Sequence, residues 1–326
     1  MSIIIVGLGS MGKRRIRLLQ RIRPDDKLIG VDNNTERRKM AEQEFAIDTA
    51  ADLTTALLHD VKYAFVCTSP LSHSNIINQC LNSGVSVFTE INLVDDLYNE
   101  NISLANEKGK VLYLSSTPIF RNEIRYITER VHNSGESLGY IYHIGQYLPD
   151  WHPWENYKDF FIGDKRTSGC REILAIEFPW MVHCFGEIAD VKVISDRKTR
   201  LEIDYRDNYS ILITHKSGHH GVIVADVICR KAVRYFELYG ENLYLTWDGS
   251  TEGLREYDIE NKSEHTVDLY EQVEHLTGYN SLIVENAYES EILDFFAVAE
   301  KGKTPIHSFE RDKEILSWID KVENYV

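Results

Sequence analysis

Ile3-Ile4-Ile5-Val6-Gly7-Leu8-Gly9-Ser10-Met11-Gly12 is the stretch that decides the fold of this chain. Four apolar residues in a row describe a short parallel strand buried on both faces. The glycines that follow have the spacing G-x-G-x-x-G, and Lys13 to about Ile22 then reads as a basic amphipathic helix. Between a buried strand and a helix, the first glycine permits a tight turn and the second lets a pyrophosphate approach the backbone. The third lets the helix pack on the sheet. The helix N-terminus adds N–H groups and a partial positive charge. Gly7, Gly9, Ser10, Met11 and Gly12 are therefore the expected phosphate cradle.

The chain beyond repeats the same alternation. A second strand, Lys27 to Val31, ends on Asp32, 20 residues past Gly12. An acid there accepts hydrogen bonds from the adenosine ribose hydroxyls and repels a 2′-phosphate, which favours NAD over NADP. Arg37 and Arg38 stand close enough in sequence to keep NADP as the less favoured alternative, and Asn33 and Arg37 join Asp32 as expected cofactor contacts. Helical segments follow around Thr35–Phe45 and Leu53–Leu58. Tyr63–Cys67 is a further strand, then come strand Ser86–Thr89, helix Asp95–Lys108 and strand Val111–Ser115. Strands separated by helices at this spacing specify right-handed βαβ units. The expectation is an α/β fold: a doubly wound parallel Rossmann sheet over residues 1–118.

Residues 119–326 read differently. Helix Asn122–Asn133 leads into strand Tyr140–Tyr147, an aromatic loop (Pro149-Asp150-Trp151-His152-Pro153-Trp154) and a helix from about Gly169 to Phe185. Strand candidates Val191–Ile194, Tyr209–His215, Gly221–Cys229, Tyr235–Tyr239 and Leu243–Trp247 are joined by short turns, which means hairpins. The expected second domain is α+β with a large, mostly antiparallel open sheet, closed by a helix at about 281–300 that returns toward the first domain.

Composition limits the partners. A net charge of −15 opposes broad contact with nucleic acid or anionic membrane. The only apolar stretch at the N-terminus runs straight into glycines, too short for a signal peptide or a membrane span. Five scattered cysteines with no C-x-x-C pair suit reduced thiols in the cytoplasm. His215, His219 and His220 cross a probable hairpin turn without an acidic or thiolate partner at suitable spacing, so no metal site is expected there.

Gly7–Gly12 with Asp32, Cys67-Thr68-Ser69-Pro70 with His73, Thr89-Glu90, and the Gly169–Gly186 helix before an antiparallel sheet resemble the Gfo/Idh/MocA family of oxidoreductases. The resemblance covers nearly the whole chain. It implies hydride transfer between a nicotinamide and a hydroxyl carbon of a sugar, sugar derivative or nucleotide sugar. It also implies a homodimer or homotetramer built through the C-terminal sheet. Thr68, Ser69 and Glu90 would lie near the nicotinamide half of the cofactor, with His73 in the same segment.

The departures from the family matter as much. Where members read Glu-Lys-Pro, this chain reads Glu90-Ile91-Asn92, so the proton-handling lysine is replaced by isoleucine. The family's Asp and His, four residues apart on the helix, fall on Glu172 and Ile176. Glu172 keeps a carboxylate; the histidine is absent. General acid–base work needs a proton carrier within reach of the reacting hydroxyl. The candidates are Glu172, His152 in the aromatic loop, and His183, which shares the Glu172 side but lies roughly 10 Å beyond Ile176 along the axis. The aromatic loop suits stacking on a sugar ring or the filling of a domain interface, and both readings stand. Lys165, Arg166 and Arg171 suit a substrate phosphate or carboxylate, or plain solvated charge. Two further functional readings remain open: an NAD-binding protein without turnover, and an enzyme that keeps its NAD(H) through a closed cycle.

Overall fold

The computed structural model describes residues 1–152, 155–274 and 283–325. The chain divides into two compact units, one formed by Met1–Ser116 with Tyr288–Lys313, the other by Thr117–Ala287 with Glu314–Val326.

The first unit begins with β1 (Ser2–Val6), buried at every residue, and α1 (Ser10–Ile22). Then come β2 (Lys27–Val31), α2 (Thr35–Phe45), β3 (Asp48–Ala50) and α3 (Leu53–Ala56). Asn34 caps α2 by accepting the N–H groups of Glu36 and Arg37, at 2.9 and 3.1 Å. Next are β4 (Val61–Val66), α4 (Pro70–Asn82), β5 (Ser86–Thr89), α5 (Tyr98–Lys108) and β6 (Leu112–Leu114). The strands form one parallel sheet in the order β3-β2-β1-β4-β5-β6, the arrangement of a Rossmann domain. Two local differences from the sequence expectation have simple causes. The short strand β3 has too few residues to show a pattern. Helix α5 starts three residues after Asp95 because Leu97 turns into the left-handed region, φ 56°.

The second unit contains α6 (Asn122–Ser134), β7 (Gly139–Gly145), α7 (Gly169–Phe185), β8 (Ile188–Asp196) and β9 (Asn208–His215). They are followed by β10 (His220–Asp226), β11 (Val233–Tyr239), β12 (Tyr244–Trp247), β13 (Arg255–Asp258) and β14 (Ser263–Thr266). The eight strands run β14-β13-β12-β11-β7-β10-β9-β8, antiparallel except where β7 meets β10. Register puts Ile211, Ile223, Tyr142, Phe236 and Trp247 in one row on the buried face. Helix α7 contributes Trp180, edge-on to Tyr142 at 5.5 Å and to Phe236 at 5.6 Å. The opposite row, Leu212-Val222-Ile141-Glu237, faces outward. Period-two alternation made this unit's sheet legible, but β13 and β14 are exposed or only half-buried and carry no such pattern.

Two helices close the chain, α8 (Glu285–Lys301) and α9 (Phe309–Glu323). The sequence reading had no α9, and the first residues of its helix at 281–300 lie outside the described ones, as do Pro153 and Trp154. Within the first unit, Phe295 packs edge-on against Phe65, Phe88 and Tyr113 at 5.4 to 5.7 Å. No described helix is long and apolar enough to cross a membrane.

Candidate active site

The glycine-rich turn has the shape its spacing predicts. Gly7 sits at φ 95°, and a Cβ there would come within 2.7 Å of the Cys67 carbonyl oxygen. A Cβ on Gly12 would run into the Gly7 carbonyl, so α1 lies directly on the turn. A Cβ on Gly9 would meet nothing within 4 Å, which leaves the backbone open to a ligand. No side chain caps α1 at Gly9. The cradle thus fits a pyrophosphate, which would take the cap's place at the positive end of the helix.

Asp32 is buried beneath this turn. Its Oδ2 accepts the Leu8 N–H at 2.9 Å and its Oδ1 the Asn34 N–H at 2.8 Å. A carboxylate offers about four lone-pair sites, so two remain for ribose hydroxyls. Arg37 Nη1 stands 3.8 Å from Asp32 Oδ2 and its side chain is 56% exposed, while Arg38 donates to the Asp32 carbonyl at 2.7 Å. Asn33 is exposed at the same turn. Acid and arginine occupy one corner, one favouring a free ribose and the other a phosphate.

The segment after β4 lies beside Gly7 through Cys67 and Thr68. Thr68 is half-buried and Ser69 exposed, and the Ser72 hydroxyl links them by donating to Thr68 Oγ1 at 2.7 Å and to the Ser69 carbonyl at 2.8 Å. His73 is fully committed behind them. Its Nε2 meets the Thr68 carbonyl at 2.9 Å and its Nδ1 meets Asn92 Oδ1 at 2.7 Å. Burial lowers its pKa, against the raising effect of these two hydrogen bonds. It positions the turn rather than presenting a free nitrogen to a ligand. Glu90 is likewise engaged, bound at both oxygens by Arg15 of α1. Asn92 and Arg15, the partners of His73 and Glu90, are neighbours that sequence reasoning passed over. Lys13 to Ile22 was read only as a basic amphipathic helix, and within it Arg15 is 0% exposed.

In the second unit, Glu172 and Ile176 are both half-buried on α7, one turn apart. Glu172 Oε2 is sealed from water and has no hydrogen-bond partner among the described residues. Burial raises its carboxyl from the ordinary 4.5 to about 7, where a group exchanges protons readily near neutral pH. Burial also pushes the Tyr205 phenol up, and the neighbouring Glu172 adds to the effect. Glu177, by contrast, is buried and satisfied, accepting from Tyr142 Oη at 2.7 Å, Trp180 Nε1 at 2.6 Å and Arg234 Nη2 at 2.5 Å.

His183 is 11 residues beyond Glu172 on α7, about 16 Å on an ideal helix. There it meets His132 of α6, ring centroids 6.3 Å apart, beside a surface cleft of about 400 Å³ that also includes Arg125 and Glu129. His152 bonds Glu155 Oε1 at 2.6 Å and stacks on Phe160 at 4.5 Å. Trp151 Nε1 donates to the Gln146 carbonyl at 3.0 Å. Lys165 and Arg166 are exposed. Arg171 is buried instead, tying α7 to Asp320 at 2.8 Å and Glu323 at 2.5 Å. His215 spends both ring nitrogens on Tyr140 and the Gly186 carbonyl, so the three neighbouring histidines do not converge.

A parallel Rossmann sheet with an open glycine cradle and a buried acid at the end of β2 is the arrangement of a dinucleotide-binding domain, and here a unit with a mostly antiparallel sheet follows it. Residues 1–115 match the Gfo/Idh/MocA model, described as oxidoreductase family, NAD-binding Rossmann fold. Human biliverdin reductase A is 25% identical over 204 residues, 60% of this chain; the match spans only 62% of that relative's length. Among solved structures, levoglucosan dehydrogenase in complex with NADH is 14% identical with a TM-score of 0.83, covering 99% of this chain and 95% of that one. UDP-N-acetylglucosamine 3-dehydrogenase from Acidithiobacillus ferrooxidans is 16% identical with a TM-score of 0.76, covering 100% and 97%. A Synechocystis biliverdin reductase in complex with biliverdin and NADP+ is 16% identical with a TM-score of 0.75, covering 98% and 96%. These neighbours share the fold and between them hold NADH or NADP+.

Proposed function

We propose that this protein is an NAD-preferring oxidoreductase acting on a sugar or nucleotide-linked sugar at a hydroxyl carbon. The observation that carries the reading is Glu172, a carboxylate at a family acid–base position, held near neutral pKa with one oxygen unpartnered. The dinucleotide, when bound, supplies the redox chemistry. The chain's own part is to hold the pyrophosphate at Gly7–Gly12, to hold the ribose at Asp32, and to seat the cofactor's reactive half by Thr68 and Ser69. Glu172 takes the hydroxyl proton on oxidation and returns it on reduction. His152 is the second candidate for that proton, because it lies in the loop whose tryptophans suit a sugar ring. His183, beside His132, is the weakest. Dehydrogenases of a sugar and of a nucleotide sugar among the structural neighbours support the substrate class.

Ile91 and Ile176 favour a second reading, a protein that binds NAD(H) without turnover. The test is a panel of UDP-sugars, free sugars and biliverdin offered with NAD+, NADP+ and their reduced forms, with product analysis by mass spectrometry. Turnover of a sugar that Glu172→Gln abolishes without weakening NAD binding supports the proposal. Conversion without net change in NADH identifies a closed cycle. Turnover of biliverdin alone, or tight NAD binding with no conversion of anything, overturns it.

Assembly through the outer face of the second unit's sheet belongs to the same reading, as a homodimer or homotetramer. Leu212 is 56% exposed there, in one row with Ile141 at 40% across Val222. Leu212→Glu is expected to shift the mass measured by light scattering toward the monomer.

A further inference from the structure

The structure assigns a transition-metal site, of the kind that takes Zn²⁺, to His143, Asp226 and Cys229 in the second unit. One ligand atom from each lies within 4.8 Å of the other two. The three come together through topology. Strands β7 and β10 are the parallel pair in the sheet, and their register sets Asp226 beside Gly145, two residues from His143 on the same outward face. Cys229 arrives just past the end of β10, where its carbonyl accepts the Tyr147 N–H at 2.7 Å.

The carboxylate is already oriented as a ligand needs to be. Asp226 Oδ1 accepts the N–H groups of Ile228 and Cys229 at 2.9 and 2.8 Å, which turns Oδ2 toward His143 Nε2, 2.8 Å away. Such hydrogen bonds behind a ligand fix its direction and raise its affinity. The bare backbone of Gly145 makes the room, since a Cβ there would stand 2.5 Å from Asp226 Oδ2. In a tetrahedral zinc site with bonds of about 2.0–2.3 Å, neighbouring N and O ligands are about 3.3 Å apart. Zinc would therefore replace the His143–Asp226 hydrogen bond with a widening of about 0.5 Å. One imidazole, one thiol and one carboxylate form a borderline-soft set that suits zinc, and not the all-oxygen preference of calcium or magnesium.

Cys67, Cys80, Cys170 and Cys184 are buried, and Cys229 alone of the five is half-exposed. His143 is likewise 36% exposed at its side chain, which leaves the fourth position to water. Bound metal would pin the 227–229 segment to β7. Because Leu148 N–H also bonds the Val227 carbonyl at 3.0 Å, the root of the aromatic loop would be fixed with it. Sequence reading weighed a metal only at His215, His219 and His220 and expected none; it did not consider this trio, whose His143 and Asp226 are 83 residues apart and joined by the parallel pairing.

The experiment uses untagged full-length protein, stripped with chelator, kept reduced, and titrated with Co²⁺ and then Zn²⁺. The expected result is one Co²⁺ per chain, with tetrahedral visible bands and a thiolate-to-cobalt charge-transfer band, all displaced by Zn²⁺. Cys229→Ser should abolish the charge-transfer band, and His143→Gln should weaken binding at least about tenfold. His219→Gln should change neither, and circular dichroism establishes that each variant is folded. Zn²⁺ should raise the melting temperature of the natural chain and leave that of Cys229→Ser unmoved. Absence of a one-to-one complex at micromolar metal overturns the assignment, as does a charge-transfer band that survives in Cys229→Ser.

Discussion

Arg15 of α1 grips Glu90 at two points, Nε to Oε1 at 2.7 Å and Nη2 to Oε2 at 3.1 Å, with the guanidinium wholly buried. The same Nη2 lies 2.7 Å from Glu291 of α8, whose other oxygen accepts from Ser115 Oγ at 2.9 Å and from the Ser116 N–H at 2.7 Å. One cation thus ties a helix behind the nucleotide turn, the strand end carrying Glu90 and the returning helix. Removing it leaves two buried carboxylates without their counter-charge. Arg15→Met is expected to cost about 3–5 kcal/mol of stability, the usual penalty for breaking a buried pair from one side. Denaturant unfolding measures this directly. A loss below about 1 kcal/mol would mean that water or a proton compensates the carboxylates.

Glu172 gives stability a definite dependence on pH. Its folded carboxyl sits at about 7 against an ordinary 4.5, so the folded state holds a proton that the unfolded state has released. Stability from this group is therefore greatest below the unfolded value and falls as pH rises through about 7. The loss amounts to about 3 kcal/mol at most. Glu172→Gln should flatten the urea midpoint between acid and neutral pH and make the variant the more stable of the two in mild alkali. Midpoints that run parallel for the two proteins across that range would remove Glu172 as the titrating group. In activity the sign is opposite for oxidation, where the ionised carboxylate is the base and the rate should rise through the same pH.

The cofactor corner makes a prediction of its own. Asp32, the residue proposed to hold the ribose, accepts two backbone N–H groups, and Arg37 stands 3.8 Å from it. Asp32→Ser removes the charge that opposes a 2′-phosphate and frees Arg37 to meet one. The ratio of NADP to NAD dissociation constants should fall at least about tenfold, equivalent to about 1.4 kcal/mol. The stranded Leu8 and Asn34 N–H groups should lower stability by about 1–3 kcal/mol. Fluorescence titration with both reduced cofactors reads the first effect, and an unchanged ratio would show that Asp32 does not set the preference.

Sequence made some of this architecture plain and hid the rest for physical reasons. The turn at Gly7–Gly12 and the acid at Asp32 were legible because a strand, three glycines and a helix start leave few alternatives. Alternation revealed the central strands β9 to β12, whose inward residues are buried, but not β13 and β14, which bury little. Arg15 and Glu291 were invisible because their pairing joins residues 276 apart, and charge on a helix ordinarily faces water. His73 and Glu90 were legible as members of a motif, yet their hydrogen bonds show them supporting the site from behind. Glu172 emerged from the family resemblance, but its unpartnered oxygen and shifted carboxyl belong to packing alone.

Packing also decides what restoring the family's residues would do. Ile91 and Ile176 stand where the resemblance to Gfo/Idh/MocA proteins implies lysine and histidine, and each is half-buried within its own unit rather than sealed in a core. A side chain at such a position keeps its polar tip in water while its stem covers apolar surface. Ile91→Lys and Ile176→His should therefore each cost under about 1.5 kcal/mol, well short of the price of an unpaired buried charge. If the site is a reduced version of the family's, the double variant should gain turnover on a sugar that the natural chain converts slowly, with its NAD affinity unchanged. If Glu172 and His152 already share the proton work, the added groups should lower the rate while leaving the fold intact. Melting temperature and initial rate, measured on the two single variants and the double, separate these outcomes. A steep loss of stability in Ile91→Lys would show that the position is closed to charge, and that the isoleucine is there to exclude water from the nicotinamide end of the cradle.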